Sequence, residues 1–419
     1  MDNLAATPVL VSDLHVSVQK SMVLTGAIMV QLILGTVYGY SIFWQPLEAE
    51  LWPPILTQDQ AIALTLRDEH ISSNVLIVAD AAAFNREREN RLGVLKYSFA
   101  ICLLSFATST VVAGRLQDMR GPRFTATAGG IVLGAAFLLA GFMNSLAVFY
   151  VCHAVLMGVV AVTLLTLFGA LTRGVDPARL RFVQYIPFGL VTVVVVAGIP
   201  LGQEYISTSL SNKLFLLWGT VGLLAGVGTG FAYVCPIAAL LKWFPQHKGL
   251  VSGLAVAGFG LGAYLISGGT RIGGVGYIEA NGIENFFRLH GLIAALGVCG
   301  GAMLLRDPPI VRSPYKSQVE SHRQEHGWRQ LLRHRPFYLV WIMFFSGAMA
   351  GLMVIGILKP FAGSQLIHFA ERTGGITSET VRSDLLLRGA AAVGVLAVFN
   401  ALGRVIWGLI SDRIGRSVT

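Results

Sequence analysis

Charge is the scarcest thing in this sequence: Asp, Glu, Lys and Arg make up 13% of its 419 residues. An ordinary soluble domain has about 25%, so there is too little charge here to coat a water-soluble protein of this length. Cysteine is also rare. Cys102, Cys152, Cys235 and Cys299 all lie in apolar runs without paired spacing, so neither a disulfide frame nor a metal site is indicated, and they read as packing residues. The first twenty residues carry Asp13 and Lys20 but no short apolar core followed by a small-residue cleavage site, which argues against a cleaved signal peptide. Catalytic motifs are missing too. Gly258, Gly260 and Gly262 sit inside an apolar helix, without the strand-then-helix context of a dinucleotide loop. With no phosphate loop, no paired metal ligands and no nucleophile beside a base, the sequence argues against an enzyme, a cofactor or a metal.

What the sequence does have is apolar length. It is 54% hydrophobic, and runs long enough to cross a hydrocarbon layer of roughly 30 Å recur along it. Ten spans are expected, at about 21–44, 93–115, 124–143, 146–172, 185–206, 213–241, 248–270, 286–305, 336–358 and 388–410. The fold class is therefore an all-α, polytopic transmembrane bundle whose main solvent is lipid. The 48 glycines suit it, because small residues let helix backbones approach where lipid provides no hydrophobic drive between helices. Gly222, Gly226 and Gly230 form one such ridge, and Gly258 with Gly262 another.

Where the charges fall explains the net charge of +9. Lys and Arg are enriched on the cytoplasmic side of membrane proteins. With the N-terminus inside, most Lys and Arg fall in cytoplasmic segments and most acids outside, so lipid and topology account for the basic balance without nucleic acid. Lys96, Lys359 and Arg388 are expected at span edges, where long side chains snorkel. The connection from Gln45 to Leu92 is long and ends in the run NREREN. The stretch 306–335 is polar and basic and reads as a cytoplasmic linker between an N-terminal half-bundle, 1–305, and a second half beginning at 336–419. No acid falls within any expected span.

A repeat supports the two halves. Gly114, Asp118 and Gly121, followed by Arg123, read G-x-x-x-D-x-x-G, and so do Gly408, Asp412 and Gly415, with Arg413 and Arg416. Each copy lies at an expected cytoplasmic helix end. Glycines there permit a tight turn, and the acid and arginines are suited to pairing across a moving interface. On this repeat, and on GTVYGYSIFWQPL, GFAYVCPIAALLKWFPQHKGLVSGLAVAGFGLGA, FFSGAMAGLMVIG and FNALGRVIWGLISDRIGR, the chain resembles the major facilitator superfamily. Within it the resemblance is to the oxalate/formate antiporter group and the related monocarboxylate transporters.

Two departures from the family pattern stand out. In the family the GFAYVCP span follows the third span almost directly, whereas here Tyr150 to Asn212 intervenes, with two apolar runs joined by TRGVDPARLRF. Two additional spans at about 146–206 are expected, which leave the parity of later loops unchanged. The chain also ends at Thr419, just after the second copy of the motif, although six spans per half are normal in the superfamily. A fragment lacking four C-terminal spans is the expectation.

Arg404 is the leading site residue. An arginine inside a span costs at least about 3 kcal/mol on insertion scales and usually faces a cavity, and its planar fork suits a carboxylate. Asn400, four residues earlier, shares its helix face and can donate an amide hydrogen to the same anion. In the resembling families the matching arginine contacts the substrate carboxylate, and the resemblance implies substrate contact for Tyr38 and Tyr233. Many vertebrate-like monocarboxylate carriers have an aspartate where this chain has Asn400, so anion exchange and proton symport both stay open. His153 and His290 read as packing residues.

The resulting expectation is a monomeric secondary carrier of small carboxylates, such as oxalate, formate or other monocarboxylates. It would work by alternating access in a bacterial cytoplasmic (inner) membrane, with the lipid bilayer as its only other partner. The alternative is a non-transporting membrane sensor or scaffold of the same fold.

Overall fold

In the computed structural model the described residues are 7–66, 74–144, 210–267, 274–308, 334–374, 379–415 and 418–419. They form helices α1 (Thr7–Leu34), α2 (Trp44–Leu51), α3 (Gln58–Leu66), α4 (Ala81–Arg120), α5 (Pro122–Ala140) and α6 (Leu210–Leu217). These are followed by α7 (Ala225–Trp243), α8 (Lys248–Ile266), α9 (Gly274–Leu304, kinked at Gly282, where φ is +82°), α10 (Arg335–Gly374) and α11 (Glu379–Ile414). A 3₁₀ segment, Gly35–Ile42, continues α1, and a π-helical stretch, Trp218–Leu224, joins α6 to α7. The small parallel pair β1 (Ile55–Thr57) and β2 (Leu76–Val78) is in register Ile55 with Leu76.

Among the described residues, eight helices are long and apolar enough to cross a membrane, and they coincide with eight of the expected spans. The expected pair at 146–206, and with it Cys152 and His153, lies outside the described residues, as does 309–333 of the expected linker.

Helices run further than the apolar runs. The second span was expected from 93, yet α4 starts at Ala81, where Asp80 caps it by accepting the Ala83 amide at 2.7 Å. Hydrophobicity reads the thickness of the membrane, whereas the polar NREREN stretch is itself helix-forming and continues the rod beyond it. At 40 residues and 1.5 Å each, α4 is about twice as long as the hydrocarbon layer is thick.

The projecting turn holds down a small cap made of α2, β1, α3 and β2. Arg91 is 4% exposed, donates through Nη1 to the Pro53 carbonyl at 2.7 Å and through Nε to Glu87 at 3.0 Å, and stands over the Trp52 ring. Arg88 pairs with Glu48 at 3.6 Å. Burial pushes the Glu48 carboxyl up, while Arg88 and Arg91 draw it back down. Lys96 is exposed, with its ammonium over Trp44.

The glycine ridges pack as their spacing predicts. Gly222, Gly226 and Gly230 lie against Ser98, Ser105 and Ser109 of α4, respectively, a seam of small residues along two helices. Gly258 and Gly262 of α8 back onto α1, Gly258 beside Gln31 and Gly262 against Gly35. It is at this crossing that α1 changes to its 3₁₀ segment, the kind of tightened stretch that marks a hinge. Beyond it Tyr40, 4% exposed, bonds Ser98 through its hydroxyl and stacks on Phe99 at 5.1 Å. Phe43, Phe137, Phe286 and Phe287 fill the core there, with His290 stacked on Phe286. His290 is thus enclosed by aromatic rings, in keeping with a packing role.

Among the described residues, the segments before 305 and after 334 pack together chiefly in two places. At the end carrying the cap, α10 packs against the 3₁₀ segment; over most of their length, α8 and α11 lie side by side.

Candidate functional site

The repeated motif has the same backbone in both copies. Gly121 and Gly415, each three residues after the motif acid, have φ of +85° and +86°, a region open to glycine and strained for any other residue. Each amide closes its helix, Gly121 on the Gln117 carbonyl at 2.8 Å and Gly415 on the Ser411 carbonyl at 3.1 Å. The surroundings of the copies differ. A Cβ on Gly114 would meet nothing, whereas Gly408 is buried flush against the Gly249 backbone of α8. Asp118 is exposed, and Arg123 donates to the Leu305 carbonyl at 3.3 Å. Arg413 is exposed, and Arg416 is outside the described residues.

Asp412 carries the second copy across the interface. Its carboxylate accepts the amides of Gly249 at 2.7 Å and Leu250 at 2.8 Å. These are among the first amides of α8, which have no partner within their own helix, and the N-cap residue, His247, makes no side-chain bond to them. An acid from α11 thus does the work of a missing cap and sits at the positive end of the α8 dipole. Losing a cap costs about 0.5–2 kcal/mol. Asp412→Ala should therefore raise deuterium exchange of the peptide spanning 247–251 several-fold, with Asp412→Asn in between. Unchanged exchange would show that the carboxylate does not hold this end.

Two turns further into the span, Arg404 is joined to Asn400, as their spacing predicts. Arg404 Nε donates to Asn400 Oδ1 at 2.7 Å. That bond uses the arginine's side donor and the amide's oxygen, leaving both Nη groups of Arg404 and the Asn400 amide nitrogen to act on something else. Among the described residues Arg404 takes part in no ion pair. Its backbone is fixed by α8, where Gly253 lies directly against the Arg404 carbonyl. Gly260 of the same helix faces Asn400, whose Oδ1 lies 3.7 Å from the position a Cβ there would occupy.

Tyr233 packs against the same helix, α8, through Phe259. Its ring is held edge-on between Phe106 of α4 and Phe259 of α8, at 5.2 Å from each. α8 is therefore the shared element, with Phe259 toward Tyr233 and Gly260 toward Asn400. The backbone of Tyr38 lies in the 3₁₀ segment, and its side chain is not among those described.

Two polar groups went unremarked as site candidates in the sequence. Gln31 of α1 is fully buried, and its Nε2 donates to the Tyr233 carbonyl at 3.0 Å. Pro236 lies in the next turn, where its missing amide leaves the neighbouring Ala232 carbonyl without its helical donor. The signal was an amide inside the apolar run AIMVQLILG, which a reading of formal charges passes over. Lys359 was expected to snorkel from a span edge. It is instead 5% exposed and donates to the Ile42 carbonyl at 3.3 Å, because α10 continues as a helix past the apolar run and carries the side chain in against the 3₁₀ segment.

Long apolar helices joined at close glycine contacts, with an arginine held inside one of them, define a multi-pass α-helical membrane protein. A sequence model of the Major Facilitator Superfamily matches residues 181–419, and the chain belongs to that superfamily. It is 31% identical over 229 residues to the uncharacterized MFS-type transporter YhjX of Escherichia coli K12, covering 55% of this chain and 52% of that protein. It is 30% identical over 202 residues to the oxalate:formate antiporter of Oxalobacter formigenes (47% and 41%). Over 253 residues it is 29% identical to apicoplast pyruvate carrier 1 of Toxoplasma gondii (48% and 44%). The chain spans about half the length of the curated relatives it matches.

Proposed function

We propose that the protein is a secondary carrier of small carboxylates in the cytoplasmic membrane of a bacterium, with its N-terminus and both motif loops on the cytoplasmic side and the 44–80 cap outside. The observation that carries this reading is the Arg404 fork, held by Asn400 through Nε alone and otherwise unpaired among the described residues. A guanidinium in a span needs an anion or a full set of acceptors, and two free Nη groups side by side match a carboxylate. Oxalate, formate and pyruvate occur in the names of similar proteins, which supports the substrate class. Two halves, 1–305 and from 336, would rock about the site, with α8 and α11 closing the cytoplasmic side and α10 and the 3₁₀ segment closing the outer one. Tyr233 and Tyr38 would orient the anion, and Gln31 would keep Tyr233 in place.

The test is uptake by vesicles reconstituted with the protein, using labelled formate, oxalate and pyruvate. Accumulation of at least one, saturable and stimulated either by unlabelled carboxylate inside or by an inward proton gradient, is expected. Which of the two stimulates uptake distinguishes exchange from proton symport. Binding without uptake would replace the carrier by a membrane sensor.

A further inference from the structure

Lys359 is a buried cation with an incomplete set of partners. An ammonium has three donors, and among the described residues one of them is used, on a neutral carbonyl at 3.3 Å. Among the described residues Lys359 makes no ion pair, although burying an unpaired charge is costly. The position is firmly built. Gly389 of α11 lies against the Lys359 backbone, with its would-be Cβ 2.6 Å from that carbonyl. The acceptor belongs to Ile42, the last residue of the 3₁₀ segment, where a helix end leaves carbonyls exposed and partially negative. This hydrogen bond ties α10 to the end of the 3₁₀ segment, on the cap side.

Beside Lys359 is a cavity of about 380 Å³, lined by Ile42 and Gln45 on one side and by Ile278, Glu279 and Ile283 of α9 on another, with Glu50 at its edge. Glu50 and Glu279 are both exposed, and neither pairs with Lys359. The lining combines apolar walls, one under-used cation and two exposed carboxylates. Those carboxylates repel a dianion more strongly than a monoanion, and charge-assisted bonds to an anion would outcompete one long bond to a carbonyl.

We propose that this cavity is a vestibule site for a small monocarboxylate at the outer mouth, and that the anion unlatches the mouth by drawing Lys359 off the Ile42 carbonyl. The proposal rests on the carboxylate-carrier reading for its ligand class, while the site itself is separate from Arg404.

The test uses the full chain in vesicles with Gln45→Cys as reporter, labelled from outside by a membrane-impermeant maleimide, with pyruvate and oxalate as probes. Pyruvate should speed labelling at least threefold and oxalate should not. Lys359→Gln should label fast without any anion and gain nothing from pyruvate. Lys359→Arg should restore the pyruvate response in part. Adding Arg404→Ala should leave the pyruvate response in place; its disappearance there would place the response at the central site and overturn the vestibule. No acceleration by pyruvate, or Lys359→Gln labelling at the parent rate, also overturns it. A labelling response without any carboxylate uptake sinks the carrier reading and leaves the vestibule standing, whereas uptake without the response does the reverse.

Discussion

Arg404→Ala is expected to reduce carboxylate uptake to background in reconstituted vesicles while the protein still inserts and purifies as before. In the proposed site the arginine would offer its two Nη groups to the anion while Nε stays on Asn400. Removing it leaves a carboxylate in a low-dielectric site with nothing to neutralise it. A charge-assisted hydrogen bond is worth roughly 1.5–3 kcal/mol, so two amount to at least about 3 kcal/mol, or more than about a hundredfold in the transport constant. Arg404→Lys keeps the charge but loses the fork and the hold by Asn400, so it should recover a small part of the activity. Asn400→Ala frees the guanidinium to wander and should mainly raise KM, by about tenfold for one lost bond. Wild-type uptake by Arg404→Ala would remove the residue from the substrate site.

The second large effect is expected far from any charge. Gly253 lies directly against the Arg404 carbonyl, with backbone on both sides of the contact. In Gly253→Leu the first carbon of the side chain would have to occupy that space, and a backbone carbonyl cannot turn aside as a side chain can. Overpacking in a well-packed interior costs about 1–3 kcal/mol, and here the upper end applies because neither helix can yield without separating α8 from α11. That separation would also take Gly249 off Gly408 and the α8 amides off Asp412. Uptake should fall to near background, with cysteines introduced along the α8–α11 seam becoming reactive from the motif side. Gly403→Ala is the control: a Cβ at that position, next to Arg404, meets nothing within 4 Å, and the variant should transport normally. Normal uptake by Gly253→Leu would mean that the close contact is not used in the transport cycle.

A good deal of this was legible in the amino-acid order. The apolar runs place the spans because a membrane of fixed thickness demands a fixed length of apolar helix. Spacing of four residues put Asn400 and Arg404 on one face, and the hydrogen bond between them follows from helix geometry alone. The repeated motif was recognisable because its glycines serve a local purpose, and Gly121 and Gly415 adopt the same positive φ in both copies.

Other features were decided by tertiary structure. Nothing local says that Asp412 caps α8 or that Gly253 meets Arg404, nor that Lys359 turns inward to the Ile42 carbonyl instead of outward to water. A membrane helix is apolar on most of its circumference, so its pattern does not reveal which side faces lipid and which faces another helix. That choice is made by where small residues let two backbones cross. The chain's order therefore placed the eight candidate spans found among the described residues. The crossings of α8 with α11 and of α10 with the 3₁₀ segment determined which of those residues meet, because such contacts join positions more than a hundred residues apart.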